Sequence, residues 1–221
     1  MLPFIPRDRG RQLTHAALAL LTAAGCYITF TLTPDLRPVH SLTIGLGYLS
    51  LALIVVTLII GPLQLLSKKR NPVNINLRRD VGIWAGVTGG LHVVFGFQVH
   101  LGGDIVLYFF ERTAHDGLKP LSNLFGLSND VGAVATVALI LLLFLSNDLS
   151  LKWLRGPLWK WLQRLNYVLI VLALAHTVGY QVVVEREEVM TLIVLGLTAA
   201  TLLTQMMGVA IAMRRRITFS K

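Results

Sequence analysis

The stretch DVGIWAGVTGGLHVVFGFQVH (Asp80–His100) decides the reading of this chain. About 20 mainly apolar residues are enough to cross the hydrocarbon core of a bilayer as a helix, yet this run carries His92 deep in its interior. A second stretch, LNYVLIVLALAHTVGYQ (Leu165–Gln181), has the same character around His176. An ionisable ring at membrane depth is costly and marks a functional site with a nearby partner. Two kinds of partner fit: a carbonyl of a neighbouring helix, or a metal held by both rings.

Working outward, the whole chain has this apolar character. Its 221 residues are 54% hydrophobic and only 14% charged, against about 25% charged in a soluble domain. The pattern predicts an all-α fold: an integral membrane bundle of six transmembrane helices, forming a single domain over residues 1–221. The predicted helices cover about 14–33, 42–66, 80–101, 129–147, 160–183 and 189–212. Residues 102–128 form a long outer loop, longer than an idle connection needs to be. Its apolar patch DIVLYFF (Asp104–Phe110) is predicted to lie as a short interfacial helix. MLPFIPRDRGRQLTH runs into the first apolar segment without a small-residue cleavage site, so it reads as a retained helix.

The net charge of +9 sits in short segments between the apolar runs, as membrane topology requires and unlike a nucleic-acid surface. One side holds Arg7, Arg9, Arg11, Lys68, Lys69, Arg70, Arg78, Arg79, Lys152, Arg155, Lys160, Arg164, Arg214, Arg215, Arg216 and Lys221. The other holds Arg37, Arg112, Lys119 and Arg186. That asymmetry of 16 against 4 predicts both termini on the cytoplasmic side. Cys26, alone, forms no intrachain disulfide.

Depth follows from helix geometry. His92 lies 13 residues beyond Arg79, and His176 lies 12 beyond Arg164, or about 20 and 18 Å at 1.5 Å per residue. The third and fifth helices run in the same direction, so both imidazoles reach one height. Two such rings can offer axial nitrogens to opposite faces of one porphyrin iron. Gly89 and Gly96 flank His92 on its own face, as Ala173 and Gly179 flank His176. Small residues there leave room for a flat macrocycle, or permit close helix packing.

RRDVGIWAGVTGGLH (Arg78–His92) and WKWLQRLNYVLIVLALAH (Trp159–His176) resemble the third- and fifth-helix motifs of the ferric-reductase-like transmembrane superfamily. In style the chain is most similar to the haem-binding membrane subunits of bacterial periplasmic methionine sulfoxide reductase systems. The resemblance covers about residues 40–185. It implies six helices holding b-type haem through His92 and His176, in a bacterial inner membrane, with electrons passing outward. Two-haem members carry a further histidine on each helix toward the cytoplasm. Here those places hold Arg78 or Arg79 and Gln163, so one haem b is expected.

His100, about 12 Å beyond His92 along a straight helix, is an interfacial residue, a propionate contact or an alternative ligand. His40 opens the second helix, His115 lies in the outer loop, and His15 opens the first helix at the level of Gln163. Arg164 and Arg112 stand at the rims, where they can pair with propionates or snorkel to the surface. Trp84 and Tyr167 lie on the cytoplasmic side of the iron site. No GxGxxG or P-loop is present. Electrons therefore come from a cytoplasmic reductase, from quinol, or from a flavin at the inner rim. The expected partners are an outer-side redox protein or small acceptor and the membrane lipid, with no nucleic acid. The competing reading is a haem-free scaffold or transport protein whose histidines bond to neighbouring helices. The absence of mid-depth acidic residues weighs against transport.

Overall fold

The computed structural model describes residues 7–66, 75–113, 117–184 and 188–219. Lys68, Lys69, Arg70, His115, Arg186 and Lys221 lie outside these, as do the side chains of Arg7 and Arg214–Arg216. Eight helices and one small hairpin account for most of the described chain: α1 (Arg7–Leu32), α2 (Pro38–Leu66), α3 (Ile75–Gly96), β1 (Phe110–Arg112), β2 (Leu118–Pro120), α4 (Leu124–Leu145), α5 (Asp148–Trp153), α6 (Arg155–Leu162), α7 (Leu165–Val184) and α8 (Glu188–Phe219).

Local chemistry sets the boundaries. Thr33 precedes Pro34, which disfavours further helix, and Pro38 opens α2 where a missing N–H costs nothing. After Gly96 the backbone turns through Leu101, Gly102 and Gly103, all at positive φ; glycine adopts that region without strain. Asn123 caps α4, its side chain accepting from the Gly126 N–H at 2.8 Å.

Five stretches are long and apolar enough to cross a membrane: in α1, α2, α4, α6 together with α7, and α8. The 22-residue α3 has the length, but it carries Arg78, Arg79 and Asp80 in its first turns. The predicted fourth helix is corrected at its start. It begins at Leu124, and Asn129 is a buried interior residue because its amide is bonded on both sides: Nδ2 donates to Tyr108 O at 3.0 Å and Oδ1 accepts from the Tyr180 hydroxyl at 2.6 Å. The third helix starts five residues earlier than predicted and ends five earlier, stopped by the turn that follows Gly96. Within the loop between α3 and α4, Ile105–Tyr108 form a 3-10 turn, and β1 and β2 pair antiparallel with Glu111 opposite Lys119. The predicted interfacial helix is therefore reduced to one tight turn.

The long helices alternate in direction. The β1–β2 hairpin marks one end of the bundle, the hairpin end. Leu51, Ile54 and Leu58 of α2, Val81 and Ala85 of α3, Ala138 and Leu142 of α4, Leu169 and Ile170 of α7 and Val194 of α8 form one buried core. Leu20, Val171 and Leu192 face outward, as expected where lipid tails are as apolar as leucine and packing, not water exclusion, holds helices together. The most extensive helix contacts are α2 with α3 and α4 with α7. These two pairs frame the site.

Candidate functional site: two histidine pairs in one cavity

His92 of α3 and His176 of α7 meet face to edge, with ring centres 6.2 Å apart and planes 80° apart. Each is held by the helix paired with its own. The Nδ1 of His92 lies 2.8 Å from Thr43 O of α2, and that of His176 lies 2.7 Å from Ser128 O of α4. A carbonyl only accepts, so both Nδ1 atoms carry the hydrogen. In a neutral ring this leaves the lone pair on Nε2, the tautomer a metal ligand requires.

One turn beyond each carbonyl stands a glycine on which the ring rests. A Cβ at Gly47 would come within 2.8 Å of His92 Nδ1, and one at Gly132 within 2.6 Å of His176 Nδ1. Any side chain at either position displaces the imidazole. Thr43 with Gly47 and Ser128 with Gly132 are thus two copies of one device: an acceptor carbonyl, then four residues on, an open space.

The spacing of the rings has a chemical meaning. With a metal–nitrogen bond of about 2.0 Å and the ring centre about 1.1 Å behind its nitrogen, two imidazoles opposite each other on one metal ion have centres about 6 Å apart. Both rings line a cavity of about 360 Å³ between α2, α3, α4 and α7, within the range of small-molecule and cofactor sites. The residues present fit a metal-centred macrocycle.

The other sequence candidates fall in different places. Gly89 lines the cavity, but a Cβ there would meet Leu139 Cδ2 at 2.4 Å and Ser50 Oγ at 2.7 Å. Its smallness serves close packing of α3 against α4 and α2. Gly96 also lines the cavity and makes only ordinary contact with Thr43. Gly179 is pressed against Ser128. Arg164 sits in the turn before α7, outside the cavity lining. Arg112 pairs with Asp104 at 2.8 Å in the loop between α3 and α4.

His100 lines the same cavity at its hairpin end, beside His40, with ring centres 5.5 Å apart and planes 77° apart. Sequence spacing alone did not connect His40 to it. Between the two histidine pairs the polar groups bond to one another: Tyr180 to Asn129 and Gln181 to Tyr48. The Tyr108 hydroxyl donates toward Gly96 O and His100 O. Burial pushes its phenol up from the usual range.

At the opposite end of α3 the polar groups are closed in. Asp80, 1% exposed, accepts from Arg11 Nη2 at 2.7 Å and Nε at 3.2 Å. His15 Nε2 stands 3.6 Å from the same carboxylate, while its Nδ1 accepts from the Trp84 indole N–H at 3.0 Å. Both nitrogens of His15 are thus engaged. Nearby, Asn166 Nδ2 donates to Thr57 Oγ1 at 2.7 Å.

Comparison with known proteins agrees with this architecture. The ferric reductase like transmembrane component family matches residues 46–175. Relatives include a protein-methionine-sulfoxide reductase heme-binding subunit MsrQ of Herminiimonas arsenicoxydans, 33% identical over 180 residues, covering 80% of this chain and 77% of the relative. The protein of the same name from Azospira oryzae is 28% identical over 207 residues, covering 91% and 82%. No solved structure matches at a significant level. The matched segment takes in α3 and most of α2 and α7, with α4 between them, so this multi-pass membrane chain belongs to the ferric reductase like transmembrane component family.

Proposed function

We propose that this chain holds one b-type haem between His92 and His176 and carries electrons across the bilayer toward the hairpin end. The observation that carries the reading is the pair of carbonyl-held rings with centres 6.2 Å apart. An edge-to-face aromatic contact covers the same distance range. It does not, however, require that both rings be fixed in the same tautomer by a carbonyl and seated on a glycine. The relatives are named as haem-binding subunits, which supports the same cofactor here.

In this reading His92 and His176 would hold the haem iron, Thr43 and Ser128 fix their tautomers, and Gly47 and Gly132 give the rings their seats. Bound there, haem supplies a one-electron iron couple whose potential is tuned by its ligands and surroundings. The other half of the bundle supports a single haem: Arg78 or Arg79 and Gln163 stand where the resemblance places the further histidines of two-haem members, and they offer no imidazole.

The charge asymmetry of 16 against 4 supports a hairpin end on the outer side, termini in the cytoplasm and α3 as a sixth span. The electron donor is then a cytoplasmic reductase or a quinol. The relatives are named as subunits of a protein-methionine-sulfoxide reductase, which supports a redox protein as the outer partner.

The test is the absorption spectrum of the protein purified in detergent after expression with ample haem. A Soret band is expected, lost in His92→Ala and in His176→Ala and kept in His100→Ala. A colourless wild-type protein would end the reading, and a retained band in His176→Ala would end the ligand assignment.

A further inference from the structure

The ring of His176 is the first of a series. Tyr180 follows it by one helical turn on the same face of α7, and the two ring centres are 5.0 Å apart with planes tilted by 50°. Phe125, in the first turn of α4, comes next, its ring centre 5.8 Å from that of Tyr180. From Phe125 the rings continue into the segment that joins α3 to α4. Tyr108 lies 5.9 Å from Phe125, Phe97 lies 5.2 Å from Tyr108 at right angles, and Phe109 lies 6.3 Å from Phe97. A side branch leads from Phe125 to His100 at 6.1 Å.

Every step falls within the range of about 4.5–7 Å between centres at which aromatic rings are in contact. The rings come from separate elements: α7, α4, the 3-10 turn and the residues after α3. No single helical period puts them in line. The series also runs one way, from His176 toward the hairpin end, and it finishes at Phe109, next to the exposed Phe110. Phe125 is the junction, in contact with three other rings. It lies outside the lining of the cavity, so its ring serves the series and not the cavity wall. Leucine would fill the same volume and bury comparable area. What a ring adds is its π electrons. Electronic coupling between two redox sites falls exponentially with the gap between them, and rings in contact divide one long gap into several short ones.

We propose that Phe125 is the junction of an electron path that leaves His176 through Tyr180 and reaches the hairpin end through Tyr108. This rests on the haem reading above and adds the exit route. The step is the transfer of a single electron: the iron couple is oxidised and a one-electron acceptor at the hairpin end is reduced. No bond forms or breaks, no proton moves, and the rings lend orbitals without being oxidised themselves.

The test times electron transfer inside the protein. Full-length protein with Leu118→Cys in a Cys26→Ser background is loaded with haem and labelled on the exposed β2 strand with a photoactive ruthenium complex. After a flash, electron exchange between label and iron is followed at the Soret band. With Phe125→Leu or Phe125→Met the rate is expected to fall by about fivefold or more. Haem per chain, the midpoint potential and the bis-imidazole spectrum are expected to stay as in the parent protein. Phe125→Tyr keeps the ring and is expected to hold the rate within about twofold of the parent. An unchanged rate in the two non-aromatic variants overturns the proposal. So does an equal loss in Phe125→Tyr, which would make packing and not the ring responsible. Loss of haem from both non-aromatic variants overturns it as well, because the ring would then serve binding. A parent protein with no bis-imidazole spectrum overturns the haem reading itself.

Discussion

The two ends of α3 solve the same problem in opposite ways. Toward the opposite end from the hairpin, Asp80 and Trp84 are polar groups at the bundle interior, and each is closed off by α1: Asp80 by Arg11, Trp84 by His15. Toward the hairpin end, His92 has one nitrogen tied to a carbonyl and its ring set against a cavity. One end spends its polar groups on each other. The other fixes them and keeps space beside them. A buried polar group becomes a candidate binding site when the protein fixes its orientation and leaves open space beside it.

The largest effects expected are those that remove the space. Gly132→Val and Gly47→Val place methyl groups where the imidazole nitrogens stand, and each should abolish most haem binding, read as Soret absorbance per protein. The alanine variants should do the same to a lesser degree. Full occupancy in Gly132→Val would show that the ring has freedom the carbonyl clamp denies it.

The complementary change breaks the closed end. Arg11→Ala leaves the Asp80 carboxylate buried without its main partner. Removing one member of a buried pair costs about 3–5 kcal/mol, and the partial exposure of Arg11 places this case near the lower end, about 3 kcal/mol. The melting temperature should fall by several degrees while the haem spectrum stays unchanged. A spectral change would mean that the two ends are not independent.

Two smaller effects sharpen the contrast. The ring planes stand 80° apart, so the oxidised protein should show the strongly anisotropic low-spin EPR signal of near-perpendicular axial imidazoles. A parallel-plane spectrum would mean that one carbonyl bond breaks when iron binds. Finally, Gln163→His places an imidazole 13 residues before His176, yet haem per chain should remain at one because α3 carries Arg78 and Arg79 rather than a second histidine on its side. A second haem would show that another group, such as His15, serves as the opposite ligand.

The pairing of His92 with His176 was legible in the sequence because helical rise converts residue count into depth. The helices at those positions and the charge asymmetry were legible for the same kind of reason, a long period and a simple rule. The residues that seat the rings were not. Gly47 and Gly132 lie on other helices, and which carbonyl faces a ring depends on helix rotation, which apolar segments with little amphipathic pattern do not reveal. A hint existed in retrospect: Thr43 with Gly47 and Ser128 with Gly132 share a spacing of four residues. Gly89 shares the face of His92, where the sequence leaves two readings open, room for a macrocycle or close helix packing; Leu139 and Ser50 close upon it, as the second requires. The choice between a helix carbonyl and a shared metal also proves too narrow. An imidazole has two nitrogens, and a ring can be bonded to the first through Nδ1 and offer Nε2 to the second.

Asn129 gives the site a mechanical property. It sits next to Ser128, whose carbonyl holds His176, and it joins the Tyr108 carbonyl of the loop between α3 and α4 to the Tyr180 hydroxyl, whose ring lies 5.0 Å from that of His176. Tyr108 in turn grips the end of α3 through Gly96 and His100. The loop is therefore a handle on the paired rings: a shift of the Tyr108 carbonyl reaches His176 through the Asn129 amide and, one residue before it, the Ser128 carbonyl.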